Sequence, residues 1–365
     1  METLNITFDL PTEIAKGLAD GTLVRKGGVI QHENGRIKMW LKEAVVDSQN
    51  GFTFPSGMPL ITATSMLTLG VSVIGFSLIY KQVKFIEKRL KRIQKEIEKI
   101  DKKIDLTFYA NFRAALDLAQ NAFLMAEPNN RRSSALQAIN RFLEAEHIYT
   151  DLADKELKCN SQISDEYLLT LCFAYLAETR CYLELGEYDT ALRRLQEGKL
   201  QIRDRLTKYI DILLTSNPEM YLHPNLQKLI DLSRLTKIYQ WKDPSQTENT
   251  VFEKFRSKLV NLNSNFDRWV ESLPTSVIKP SEIDRFLFMI SDDGRKTVFN
   301  RLCEVVEKME STIETNERFA SYEWEVKLLK KAKIPFRQWE MLKPKEVAPE
   351  GASLICIEPP KPLAL

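Results

Sequence analysis

The sequence predicts a mainly α protein with three parts. A small N-terminal α+β cap comes first, then one long helix, apolar at its start and coiled-coil at its end, then a C-terminal helical bundle. Three observations predict this. Glycine is scarce, 13 in 365 residues, while long stretches rich in Ala, Leu, Glu, Lys and Arg favour helix. A charge-free run of 33 residues, Ser48 to Tyr80, passes directly into a basic heptad helix. From Phe108 onward, apolar residues recur at helical spacing between ordinary stop signals.

Residues 1–50 read as the cap. Asn5 to Leu10 alternates like a short strand, and Pro11 to Ala19 reads as a short helix stopped by Asp20-Gly21. Gly28 to Gln31 and Arg36 to Leu41 flank Asn34-Gly35. An Asn-Gly pair between apolar-rich runs is a strong hairpin signal, because both turn positions need a positive φ.

Residues 59–106 read as one rod. Its first part, Pro59 to Tyr80, is about as long as a bilayer core is thick, since a span needs roughly 20 residues. Leu60, Leu67, Leu69, Val73, Phe76 and Ile79 mark it as a candidate membrane segment. Six of its 22 positions are Thr or Ser, and Gly70 and Gly75 interrupt it, so the run is only moderately apolar. Between Lys81 and Lys103, ten Lys or Arg face four Asp or Glu. Basic residues beside a span stay on the cytoplasmic side and attract anionic lipid. The competing reading is a core helix buried in a soluble bundle.

Phe76, Ile79, Val83, Ile86, Leu90, Ile93, Ile97, Ile100 and Ile104 are spaced alternately by three and four residues. That is a coiled-coil seam, and it begins inside the apolar run. The stalk positions Val83 to Ile104 are candidate interface residues. Their cover is either a second copy of the chain or another helix of the same chain.

Residues 107–333 read as the bundle. Helices are expected over 108–126, 131–153, 163–185, 188–214, 224–241, 248–272 and 293–332, with breaks at Asn129-Asn130, Gly186, Pro218, Pro244, Pro274 and Gly294. Short connections predict antiparallel neighbours. Residues 334–365 read as an irregular tail with prolines at 335, 344, 349, 359, 360 and 362. Within it Ser353 to Glu358 is a lone strand-like run. It needs a partner, and the cap offers the other predicted strands.

Chemistry is sparse. Net charge is +2, so no global nucleic-acid signature is present and nucleic acid is not an expected partner. The five cysteines, Cys159, Cys172, Cys181, Cys303 and Cys356, form no CxxC pair and read as free thiols of a reducing compartment. The start METLNITFDLP has no basic segment leading into an apolar one, so no secretory signal peptide is expected. No phosphate-binding glycine loop, nucleophile elbow or HExxH occurs, and three histidines give a metal site little to draw on. No cofactor and no metal are expected.

Two weak motifs meet at His147. Glu144 to His147 is half of a di-iron bundle motif, without the second half it needs. Arg141 to His147 is an R-x5-H, similar to the catalytic motif of HEPN ribonucleases, in which Arg and His act on an RNA phosphodiester. A six-residue offset in a regular helix turns the two side chains about 240° apart, so that reading needs a bend. The plain alternative is a polar contact between helices.

Ala174 to Ala177, then Leu185-Gly186-Glu187-Tyr188, Ala191 and Leu195, resembles a tetratricopeptide hairpin over residues 165–200. The whole resembles an uncharacterised type of bacterial helical membrane-associated protein. Its architecture is loosely similar to α-helical pore-forming toxins. These resemblances imply a membrane-associated, self-assembling protein, with most of the chain cytoplasmic and a possible trigger or protein partner at the bundle. Two alternatives stand beside it: a membrane-tethered HEPN-like ribonuclease using Arg141 and His147, and a soluble helical adaptor or scaffold with the apolar helix buried.

Overall fold

The structure, a computed structural model, describes residues 12–26, 29–32, 37–43, 86–88, 90–91, 107–161, 163–215, 217–223, 226, 230, 232–263, 274, 292–333, 335–336 and 354–357. It is mainly helical. The first elements are α1 (Thr12–Ala19), β1 (Leu23–Lys26), β2 (Val29–His32) and β3 (Ile37–Glu43). The bundle follows as α2 (Thr107–Leu124), α3 (Pro128–Lys158), α4 (Ser164–Glu184) and α5 (Tyr188–Leu214). A 3₁₀ turn (Pro218–Leu222), α6 (Leu232–Lys242), α7 (Glu248–Asn263), α8 (Asp292–Ala332) and β4 (Leu354–Ile357) complete the described elements.

The four strands form one antiparallel sheet in the order β1-β2-β3-β4. Trp40 pairs with Ile357 and Glu43 with Leu354, so the C-terminal strand lies against the N-terminal hairpin. The β2–β3 pairing slips between Ile30 and Gln31, a bulge in the register. The expected Asn34-Gly35 turn lies outside the described residues. Strand β1 was not expected from the sequence. Its four residues, LVRK, are too short to show alternation. Helix α1 packs on β1 through Gly17, where a Cβ would stand 2.6 Å from Leu23 Cδ1. The candidate strand Asn5 to Leu10 lies outside the described residues.

Local chemistry sets the helix limits. Pro128 opens α3, where its missing N–H costs nothing, and the Glu127 carboxylate accepts from the Asn130 N–H at 2.7 Å. Helix α4 ends in a left-handed Gly186 (φ 75°), with Glu187 N–H bonded back to Tyr182 O. That sharp reversal sets α5 antiparallel to α4. Helices α5 and α8 also run antiparallel: Lys330 pairs with Asp189, Gln196 bonds Glu323 at 2.8 Å, and Arg203 bonds Asn316 at 3.3 Å.

One hydrophobic core runs through α2 to α8. Tyr109, Phe112, Phe142, Tyr149 and Tyr167 form an aromatic cluster joining α2, α3 and α4. Tyr109 meets Tyr149 edge-on at 5.4 Å, and Phe112 meets Phe142 at 5.8 Å. Helix α4 is the central element. Every residue from Ser164 to Cys181 is buried.

The membrane reading needs correction. Among the described residues, no helix is long and apolar enough to cross a membrane. The most apolar stretch of the central helix, Tyr167 to Ala177, is 11 residues between Glu166 and Glu178. That is about 16 Å of helix against roughly 30 Å of hydrocarbon. The expected span, the anionic-lipid partner, the membrane localisation and the pore-forming character are withdrawn with it. Leu60, Leu67, Leu69, Val73, Phe76 and Ile79 lie outside the described residues.

The stalk is corrected as well. Ile86 and Leu90, two seam positions, are buried in the bundle's own hydrophobic core. Glu87 beside them pairs with Arg113 of α2 at 2.9 Å and with Lys91 at 2.6 Å. A seam spaced by three and four residues states that a partner exists but not which one. Here the partner is the same chain, so the expected homo-oligomer through a free-standing stalk has no support. Val83, Ile93, Ile97, Ile100 and Ile104 lie outside the described residues.

Candidate functional site

The densest ionisable cluster lies where α3, α4 and α5 meet. Helix α3 turns a stripe inward that includes Ile139, Phe142, Glu146, Tyr149 and Ala153. Their spacing of three and four residues places Glu146 on the core face. Helix α4 contributes Glu178 and Tyr175, and α5 contributes Arg194. Glu178 is fully buried, and Glu146 and Arg194 are 4% and 7% exposed.

Arg194 organises the cluster. Its Nε donates to both Glu178 oxygens at 2.8 and 2.7 Å, and its Nη1 donates to Glu197 at 2.6 Å. Its Nη2 donates to Glu146. The guanidinium also lies 5.3 Å from the Tyr175 ring centroid. Gly198, one turn beyond Arg194, lets α5 approach this ring. A Cβ there would stand 2.7 Å from Tyr175 Cγ and Cδ1.

The electrostatics follow from enclosure. Burial and then the neighbouring Glu178 carboxylate push the Glu146 carboxyl well above the usual carboxylate range, and Arg194 only partly opposes them. Burial raises Glu178 too. Tyr175 is pushed up to about 12, first by burial and then by Glu146. For Arg194, burial works against the charge, but the two carboxylates more than offset it and hold the guanidinium charged. Two acids and one cation in a dry site are therefore near neutral only when they share a proton.

Two further polar contacts fix α4. Lys308 of α8 pairs with Asp165 at 2.6 Å, both side chains buried, and its ammonium lies 5.5 Å from the Tyr209 ring. Arg180 lies between the rings of Phe123 and Phe336, 4.7 and 4.1 Å from their centroids, and bonds Glu184 at 3.2 Å. The Phe336 N–H donates to Tyr188 Oη at 3.0 Å, which fastens the end of α8 over the α4–α5 turn.

The expected site residues fall elsewhere. Arg141 and His147 are both exposed on α3, and Arg141 bonds Glu144 at 3.0 Å. Helix α3 runs uninterrupted from Pro128 to Lys158, so the six-residue offset keeps them about 240° apart round the axis. The structure does not bring them together. The buried thiols Cys172 and Cys181 are pushed up by burial, which leaves them unreactive while they stay enclosed. Among the described residues, no three His, Cys, Asp or Glu side chains converge on a metal-sized site.

Reasoning from sequence missed Glu146, Glu178 and Arg194. The signal was available for Glu146, because the three–four stripe of Ile139, Phe142, Tyr149 and Ala153 passes through it. For Glu178 the signal was an acid directly after eleven uncharged residues of a helix.

No known protein family, curated protein or solved structure matches the chain. The resemblances to a bacterial membrane-associated type, to pore-forming toxins and to a tetratricopeptide repeat are therefore not sustained. The fold supplies a reason for the last. Residues 164–214 do make a tight αα-hairpin, but α4 is enclosed from Ser164 to Cys181, whereas a repeat helix pair touches only its neighbours in the stack.

Proposed function

We propose that the chain is a helical adaptor or scaffold whose bundle acts through shape and rigidity and not through turnover. One observation carries this reading. Three enclosed charged groups of α4, Asp165, Glu178 and Arg180, are each engaged by a neighbouring helix or ring. Polar groups held this way fix the relative positions of helices. A catalytic group needs a reactive atom open to substrate, and the Glu146–Arg194–Glu178 cluster is closed.

The ribonuclease alternative is the one enzymatic reading with named residues. Its two candidates are solvent-exposed, and Arg141 is held by a carboxylate on its own helix. The test incubates the purified full chain with labelled single-stranded and hairpin RNA. The scaffold reading expects no cleavage, and it expects Arg141→Ala and His147→Ala to match wild type in fold and stability. Cleavage by wild type that disappears in His147→Ala would overturn it.

A further inference from the structure

Three helices meet on one buried cation. Glu146 comes from α3, Glu178 from α4 and Arg194 from α5. The groups facing Glu146 are Glu178, Tyr175 and Tyr182 from α4 and Arg194 from α5, with Glu197 and Arg193 of α5 next to Arg194 and the two tyrosines. With both inner carboxyls ionised, two enclosed negative charges share one guanidinium. Glu197 adds a third carboxylate at the half-exposed edge. Oε1 of Glu146 is buried and has no hydrogen-bond partner among the described residues. An ionised oxygen there is enclosed away from bulk solvent and meets no donor among the described residues, whereas a protonated one can turn its O–H toward Glu178.

We propose that this cluster is a pH-sensitive latch: one proton held between Glu146 and Glu178 keeps α3 seated on the α4–α5 hairpin, and its loss loosens that seat. The proton passes to bulk water, and no bond other than O–H changes. Burial and the Glu178 charge both favour the protonated carboxyl, the direction a held proton requires. The linkage sign follows. The closed form binds a proton that an opened, hydrated Glu146 releases, so closing weakens as pH rises above the ordinary carboxylate range. This inference goes beyond the scaffold reading and does not depend on what the bundle supports.

Cysteines already present provide the readout. Cys181 is buried on α4, one turn from Glu178, while Cys159 is exposed just past the end of α3. The full chain is labelled briefly with a maleimide from about pH 6 to about pH 8.5, and the Cys181-to-Cys159 labelling ratio is read by peptide mass spectrometry. The ratio cancels the general rise of thiolate with pH. In wild type it should increase with pH, by up to about tenfold per pH unit for one proton, with unchanged far-ultraviolet circular dichroism. In Glu146→Gln it should be flat. Should that variant fail to fold, Glu178→Gln must be flat instead, because it also leaves one inner carboxyl on Arg194. A flat ratio in wild type, an equal rise in the folded Gln variant, or a rise that parallels loss of helix overturns the latch.

Discussion

Replacing Arg194 by Met tests the buried cluster most severely. Met keeps much of the aliphatic volume but removes the charge and all four hydrogen bonds, two to Glu178 and one each to Glu146 and Glu197. The two inner carboxyls stay enclosed with no cation. Removing one partner of a buried ion pair costs about 3–5 kcal/mol, because the other charge is left without compensation. Protonation of the stranded acids recovers part of this, so the cost depends on pH. Both carboxyls already sit above their ordinary range, and losing Arg194 pushes them further up. Folded acids with raised pKa values favour folding at low pH and lose that advantage as pH climbs toward the folded values. The loss should therefore be near the lower figure at about pH 5 and near the upper one at about pH 8. Urea unfolding followed by circular dichroism at both pH values gives the numbers, provided the slopes match those of wild type. Arg194→Lys should recover only part, since an ammonium cannot bridge three carboxylates as a planar fork does. A loss below about 1 kcal/mol, or one independent of pH, would refute the argument.

Three other outcomes are expected. Gly198→Ala should lower stability by about 1 kcal/mol in urea unfolding, because overpacking against Tyr175 at 2.7 Å outweighs the gain of roughly 1 kcal/mol in helix propensity. Arg180→Ala should lose about 2 kcal/mol and speed proteolysis beyond Phe336, since the side chain joins Phe123, Phe336 and Glu184. Thr215, a β-branched residue with φ 58°, carries backbone strain, and Thr215→Gly should gain up to about 1 kcal/mol in thermal or urea unfolding.

Much of the bundle was legible because breaks in helices are local. Gly186 ended α4 at the expected turn, and α5 covers Tyr188–Leu214 as its periodicity predicts. Proline was read too simply. Pro128 was taken as a stop for the preceding helix, but it also opens α3 three residues earlier than expected. At Pro218 the chain forms a short 3₁₀ turn, Pro218–Leu222, and the next described α-helix covers Leu232–Lys242 where 224–241 was expected. The site was harder to read, because one residue on a helix is a rotation of about 100°. His147 attracted attention and faces solvent, whereas its neighbour Glu146 faces the core. The rod misled for a different reason. Periodicity records that Ile86 and Leu90 are covered, but the identity of the cover is a tertiary fact.

Native-state hydrogen exchange measures the central claim, that α4 is an enclosed pillar holding the scaffold together. Amides from Leu168 to Cys181 should be the slowest in the chain. At about pH 6, where the latch is closed, their opening free energy should equal that of global unfolding in urea, since no face of the helix can be exposed without separating α3 or α5. Exchange of that segment at rates typical of α6 or α7, well short of the global limit, would contradict the account.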